Sequence, residues 1–355
     1  MTGSPTTDRL ACINAVATAV PPHDVHAAFI GWAEGQVEGA RERALFRRMA
    51  ARSGIEHRWS VLTARAIEAN AGEFYGDGSP GTAARMRVYA EAAPALALDA
   101  IRKLDAPLER VSHLVVASCT GFVAPGIDQI IARELGLDAG VERTLVGFMG
   151  CYAAISALRT AFHIVRSEPR ARVLVVTVEL CTLHMQFTGD LDNLLGQLQF
   201  GDGAAAALVS AEPAGFAIER PFAVALPDSG ELIRWDIGDT GFSMHLSGEV
   251  PGRIAQALGD EATRARIAGE GRGADSWAVH AGGRSILDAV QRAFALPADA
   301  LDASRAVLAR YGNVSSSTLM FVLADLLRDP AHERGVALAF GPGLAAEGFH
   351  FARAP

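Results

Sequence analysis

Leu145-Val-Gly-Phe-Met-Gly-Cys-Tyr-Ala-Ala154 decides how this chain is read: an apolar strand runs into a turn, and Cys151 stands where a helix opens. Behind it, Ile155, Leu158, Phe162 and Val165 fall on one face at helical spacing, and Pro169 lies just past the end. A cysteine at a helix start faces the positive end of the dipole and backbone N–H groups without intrahelical partners. Both effects favour the thiolate, which is the nucleophilic form. The competing reading is a small buried hydrophobe.

Two later stretches repeat that placement. Ser276-Trp-Ala-Val-His-Ala-Gly-Gly283 is a short apolar strand ending in His280 and a double glycine, followed by a helix with Ile286, Leu287, Val290 and Phe294 on its inner side. Arg310-Tyr-Gly-Asn-Val-Ser-Ser-Ser-Thr318 sets Asn313 in a tight turn before a Ser/Thr-capped apolar helix. Singly, His280 reads as a core histidine and Asn313 as a turn residue. Together with Cys151, each at a strand tip or before a helix, they fit thiolate chemistry in a layered α/β fold.

Composition bounds the rest. The 355 residues are 50% hydrophobic and 20% charged, which suits a well-packed α/β protein. A formal charge of −8 with no basic run argues against nucleic acid as main partner. Cys12, Cys119, Cys151 and Cys181 show no CxxC pairing and read as reduced thiols. The stretch Met1–Asp8 lacks the basic and apolar regions of a signal peptide, and no apolar run is long enough to span a bilayer. A soluble cytoplasmic enzyme is expected. The ten histidines form no HExxH or other metal-ligand spacing. Gly76, Gly78 and Gly81 formally match GxGxxG, but no strand precedes them and Pro80 interrupts.

Along the chain, strands are expected near 11–20, 113–118, 144–148, 172–179, 204–210, 216–221, 336–340 and 348–351, alternating with helical stretches. Arg172–Glu179 is a nearly unbroken Val/Leu run, as for a strand buried on both faces. In the Ala-rich helical region 82–104, Pro94 predicts a kink or break. A polar hairpin is expected before Ser247, and Gly269-Glu-Gly-Arg-Gly273 reads as a mobile connection. After Glu212-Pro213 the pattern partly restarts, so residues 1–212 form a half carrying the cysteine and 213–355 a half carrying His280 and Asn313.

In this order and context the chain resembles the type III polyketide synthases, the chalcone-synthase-like enzymes of the thiolase fold. The motifs that carry the resemblance are Cys119-Thr-Gly-Phe-Val-Ala-Pro-Gly126, Gly150-Cys151, Phe200-Gly-Asp-Gly-Ala204, Val250-Pro-Gly252, Trp277-Ala-Val-His-Ala-Gly-Gly283, Tyr311-Gly-Asn313 and Phe340-Gly-Pro-Gly343. The resemblance implies a homodimer of duplicated αβαβα subunits that takes acyl-CoA and malonyl-CoA through a tunnel. It implies no carrier protein, metal or redox cofactor. By the same resemblance Cys151 is the acyl acceptor, paired as thiolate with the His280 imidazolium, and His280 with Asn313 forms an oxyanion hole for malonyl decarboxylation and condensation. Phe200 matches a gatekeeper aromatic, and Arg48 and Arg52, with Gly282 and Gly283, match positions that hold CoA.

The departures concern product. The second gatekeeper position is Met244, a flexible thioether. Cavity-lining positions are Cys119, Cys181, His184, Trp235 and Ser315, and an inward Trp235 would fill much of a plant-type cavity. One basic CoA position is Leu45, with Arg47 as its expected substitute. The position that often crosses the dimer interface is Ala124, too short to reach far. The expectation is an aliphatic or fatty acyl starter, a few malonyl extensions, and cyclisation to an alkylpyrone or alkylresorcinol. The rivals are a ketoacyl synthase III-like single condensation, a cysteine-dependent thioesterase or acyltransferase, and a non-catalytic acyl-CoA binder. The apolar surroundings of Cys151 weigh against admitting water to an acyl-enzyme.

Overall fold

The computed structural model describes residues 10–68, 73–76, 78–269 and 274–355. Met1–Asp8 and all but Gly269 of the 269–273 segment lie outside them. The Val/Leu runs and alternating strands assemble into one nine-stranded sheet. Its order is Ser276–Val279, Arg334–Gly341, Ala345–Arg353, Phe216–Ala225, Cys12–Ala19, Asp202–Ser210, Arg172–Leu180, His113–Ser118 and Glu142–Gly147. The two halves of the sheet meet where Cys12 and Ile13 pair with Ala217 and Phe216, and the Ile218 N–H donates to Ala11 O at 2.8 Å. Strand Arg172–Leu180 is buried along nearly its whole length, as its composition predicted.

Helices cover both outer faces and fill the space between the halves. The apolar side of Ala153–Ser167 and almost all of Ser317–Arg328 are buried, and each touches strands of both halves. That sandwiched pair makes the middle layer. Helix Thr82–Arg102 packs outside strands 202–210, 172–180 and 12–19, while Val250–Ala257, Arg284–Ala293 and Asp302–Tyr311 cover the other end. The result is the layered, duplicated α/β arrangement that the alternating pattern implied.

Pro94 does not break its helix, which runs unbroken from Thr82 to Arg102. A proline there removes one intrahelical bond. Ala93, Leu96, Ala97, Ala100 and Ile101 lie buried on the same side, and their packing against the sheet outweighs that loss. The hairpin expected before Ser247 is Ile233–Gly238 paired with Gly241–Leu246. Thr82 pins its tip, the Thr82 N–H donating to Asp239 O at 2.8 Å and Gly241 N–H to Thr82 Oγ1 at 2.9 Å. Among the described residues no helix is long and apolar enough to cross a membrane.

Candidate active site

Three segments remote in sequence bring Cys151, His280 and Asn313 to the wall of one cavity of about 790 Å³. Cys151 sits in a single 3₁₀ turn, Gly150–Tyr152, directly before the helix that starts at Ala153. The turn needs Gly150, whose φ is +74° and where a Cβ would lie 2.2 Å from Pro342 Cδ. Gly341 serves the same approach, since a Cβ there would fall 2.5 Å from Tyr152 Cδ1. Phe340-Gly-Pro-Gly343 is thus the surface on which the cysteine turn is seated. From behind, Cys119 Sγ accepts from the Gly150 N–H at 2.9 Å.

Position at a helix start favours a Cys151 thiolate, and burial opposes it. Burial raises the thiol to about 12; the Ser315 hydrogen bond, with Sγ 3.9 Å from Ser315 Oγ, lowers it less, and the buried Glu179 adds a further rise. Desolvation of a charge is a larger effect here than the first-turn dipole. His280 ends the strand Ser276–Val279, its N–H donating to Leu338 O at 2.8 Å to extend the ladder. The ring packs over Gly282, and both ring nitrogens are buried without a hydrogen-bond partner among the described residues. Burial alone pulls this imidazole down to about 3. Taken singly, burial favours the neutral form of both the thiol and the imidazole.

Asn313 is oriented by its neighbours. Its N–H donates to Gln199 O at 2.8 Å and its carbonyl accepts from Gly201 at 3.0 Å, so Phe200 and Asn313 share one backbone bridge. Asn313 Oδ1 accepts from the Ser315 N–H at 2.9 Å and Thr318 Oγ1 at 3.2 Å. The amide nitrogen is left to face Gly282 O and the thiol.

Phe200 and Met244 line this cavity and also a second, smaller one of about 40 Å³. They share that position with Asp192, Gly196 and Leu246, which also line both. Cys181, His184 and Trp235 line the smaller cavity, not the one holding Cys151. Trp235 is held there by Nε1 donating to Cys119 O at 2.9 Å and packs edge-on against His184. His184 stacks on Phe242 at 4.2 Å, donates from Nε2 to Thr120 O at 2.7 Å and accepts at Nδ1 from the Phe242 N–H at 3.0 Å. Cys119 lines neither cavity, and Ser315 touches the Cys151 thiol.

Arg52, Gly282 and Gly283 line the large cavity, whereas Arg48 lies outside its lining. Arg47, the expected substitute for a cation at Leu45, is engaged elsewhere: its guanidinium makes two 2.7 Å hydrogen bonds to Glu34. Helical phase explains this, because Arg47 faces the preceding helix His26–Gln36.

Sequence reasoning overlooked two buried charges behind the site. Glu179 is fully buried, accepting from Cys119 N–H at 3.0 Å, Thr120 Oγ1 at 2.9 Å and Ser316 Oγ, and burial raises its carboxyl to about 7. Its signal was present: a lone acid ending the Val/Leu run 172–180. Arg58, also buried, donates to Phe200 O at 2.7 Å and Gln197 O at 3.1 Å, fixing the Phe200 backbone from behind. In Phe200-Gly-Asp-Gly-Ala204 the acid is a structural acceptor. Asp202 takes hydrogen bonds from Thr182 N–H at 2.8 Å and Val61 N–H at 2.9 Å.

Comparison with known proteins agrees with this geometry. Residues 4–213 match the chalcone and stilbene synthases, N-terminal domain, and residues 219–354 match the C-terminal domain of the same family. The alpha-pyrone synthesis polyketide synthase-like Pks18 of Mycobacterium tuberculosis is 35% identical over 285 residues, 75% of this chain and 72% of that protein. The Mycobacterium bovis protein of that name matches equally. PKS-I from the brown algae Ectocarpus siliculosus superposes with a TM-score of 0.86 at 28% identity, over 98% of this chain and 99% of that one. The C-terminal type III polyketide synthase domain of Steely1 from Dictyostelium superposes with a TM-score of 0.84 at 23% identity, over 98% and 100%, a likeness of fold. The chain therefore belongs to the chalcone and stilbene synthase family and is a bacterial-type type III polyketide synthase, an acyltransferase that uses CoA thioesters.

Proposed function

We propose that the enzyme loads an aliphatic acyl group onto Cys151, extends it with malonyl-CoA by repeated decarboxylative condensation, and releases an alkylpyrone or alkylresorcinol. The observation that carries this reading is the convergence of a thiol, an imidazole with both nitrogens unpaired and an oriented carboxamide on one cavity. A lone thiolate and a lone imidazolium are each costly when buried, but one proton transfer creates both together and each offsets the other. The thiolate attacks the starter thioester, and the departing CoA sulfur takes the proton back from His280. Malonyl-CoA then loses CO2, and the electron pair of the broken C–C bond becomes an enolate. One His280 N–H and Asn313 Nδ2 donate to its oxygen, each such donor contributing about 3–4 kcal/mol. The enolate carbon attacks the Cys151 thioester and regenerates the thiolate.

The aliphatic starter is supported by the cavity wall, where Leu195, Leu198, Ile233, Leu246, Val250 and Phe340 offer apolar surface. The pyrone is supported by the alpha-pyrone synthesis for which the mycobacterial relatives are named. A homodimer is supported by the edge strand Glu142–Gly147, which leaves Leu145 47% exposed beside Phe122 at 44%. Four free cysteines support a reducing, cytoplasmic setting.

The test is incubation with malonyl-CoA and acyl-CoA starters from short to long, aliphatic and aromatic, with products identified by mass spectrometry beside Cys151→Ala. Cyclised, multiply extended products from aliphatic starters that vanish in the variant are expected. A single acetoacetyl-type product or free acid alone would overturn the reading, and a better aromatic or malonyl starter would overturn its aliphatic part.

A further inference from the structure

Beyond its catalytic groups, the large cavity has two arginines in its lining: Arg52 from the first half and Arg284 from the second. Arg284 packs close to the segment that follows the Arg52 helix: a Cβ at Gly54 would lie 3.9 Å from Arg284 Cδ. The Arg284 side chain is 58% exposed, and among the described residues its one ion pair is a loose 3.9 Å contact to Asp288. Asp288 is itself engaged at 2.7 Å by Arg305, so it does not hold Arg284 firmly. Arg47 is held by Glu34, and position 45 is a leucine. A CoA thioester entering this cavity brings phosphates to its rim, and a planar guanidinium suits phosphate oxygens in pairs.

We propose that Arg284 is a CoA-binding residue, a phosphate clamp that shares the cavity lining with Arg52 and supplies a cation where position 45 has a leucine. The proposal rests on the reading of the enzyme as a CoA-thioester synthase. Arg284 acts on affinity, not on the condensation itself. A lysine there retains the charge but loses the paired donors, so it restores binding only in part.

The experiment is calorimetric titration of wild type, Arg284→Ala, Arg284→Lys and Arg292→Ala with CoA and with dephospho-CoA, alongside turnover of malonyl-CoA and its N-acetylcysteamine analogue. Arg292 is on the same helix, outside the cavity lining, and controls for net charge. The expected result is roughly tenfold weaker CoA binding in Arg284→Ala, partial recovery in Arg284→Lys and none of this in Arg292→Ala. KM for malonyl-CoA rises in step, while KM for the phosphate-free analogue stays put. A smaller loss with dephospho-CoA assigns the clamp to the 3′-phosphate, and an equal loss assigns it to the pyrophosphate. Unchanged CoA binding in folded Arg284→Ala overturns the proposal even if the wild type condenses malonyl units. Weakened binding in an enzyme that condenses nothing sustains the clamp and sinks the reaction instead.

Discussion

Gly150 and Pro342 touch across the two halves of the molecule, with no room for a side chain between them: a Cβ on Gly150 would stand 2.2 Å from Pro342 Cδ. The nucleophile's turn is thereby held by a segment almost two hundred residues away. Gly150→Ala meets both the clash and a φ of +74°. The expected cost is at least about 2 kcal/mol of stability, with condensation lost in whatever protein folds. Urea unfolding and product formation at 20 °C below the variant's Tm check the two parts separately.

Proton transfer from Cys151 to His280 has a pH signature. A lone thiol near 12 is only about one part in 10⁵ ionised at pH 7, and its ionised fraction grows tenfold per pH unit. A thiolate–imidazolium pair instead gives reactivity that is flat across neutral pH. Iodoacetamide alkylation of Cys151 is therefore expected to vary little from pH 6 to 9 in the wild type. In His280→Ala it should climb steeply with pH and be at least tenfold slower at pH 7. Identical profiles would show that the imidazole does not accept the proton.

Glu179 makes stability fall as pH rises. Burial lifts its carboxyl to about 7, above the ordinary value of 4.5 that it regains on unfolding. Below pH 4.5 both states are protonated and nothing is lost. Between 4.5 and 7 the unfolded chain ionises freely while the folded one does not, so folding weakens across that window and levels off above it. Glu179→Gln removes this component, so its Tm relative to wild type should improve from pH 5 to pH 8. A Tm difference that does not move with pH would place the dependence elsewhere.

Met244 and Phe200 line both the cavity of about 790 Å³ and the one of about 40 Å³, beside Leu246, Asp192 and Gly196. Met244 is half-buried, so Met244→Ala should cost little stability while joining the two spaces. Longer starters or one more extension are the expected outcome, read from the mass spectrum of products. Phe200→Leu should act similarly and more weakly, because Arg58 still anchors the Phe200 backbone. An unchanged product distribution in both variants would mean that these two side chains do not limit chain length.

The strand tips and turns that carry Cys151, His280 and Asn313 were legible from local pattern alone. Val/Leu runs, helical spacing and glycine turns are encoded within a dozen residues, and so is the alternation that fixes an α/β class. The continuous helix through Pro94 was not legible, because the packing that sustains it comes from strands over seventy residues away. Nor was the burial of Cys151, whose desolvation by distant segments pushes the thiol up where local position alone argued for the thiolate. Arg47 and Arg284 make the same point about charge. Sequence lists both as basic, but helix phase turns Arg47 to Glu34 and chain closure brings Arg284 into the lining of the large cavity. Local geometry depends on neighbours in sequence; burial, field and cavity shape depend on neighbours in space, and only the tertiary structure supplies those.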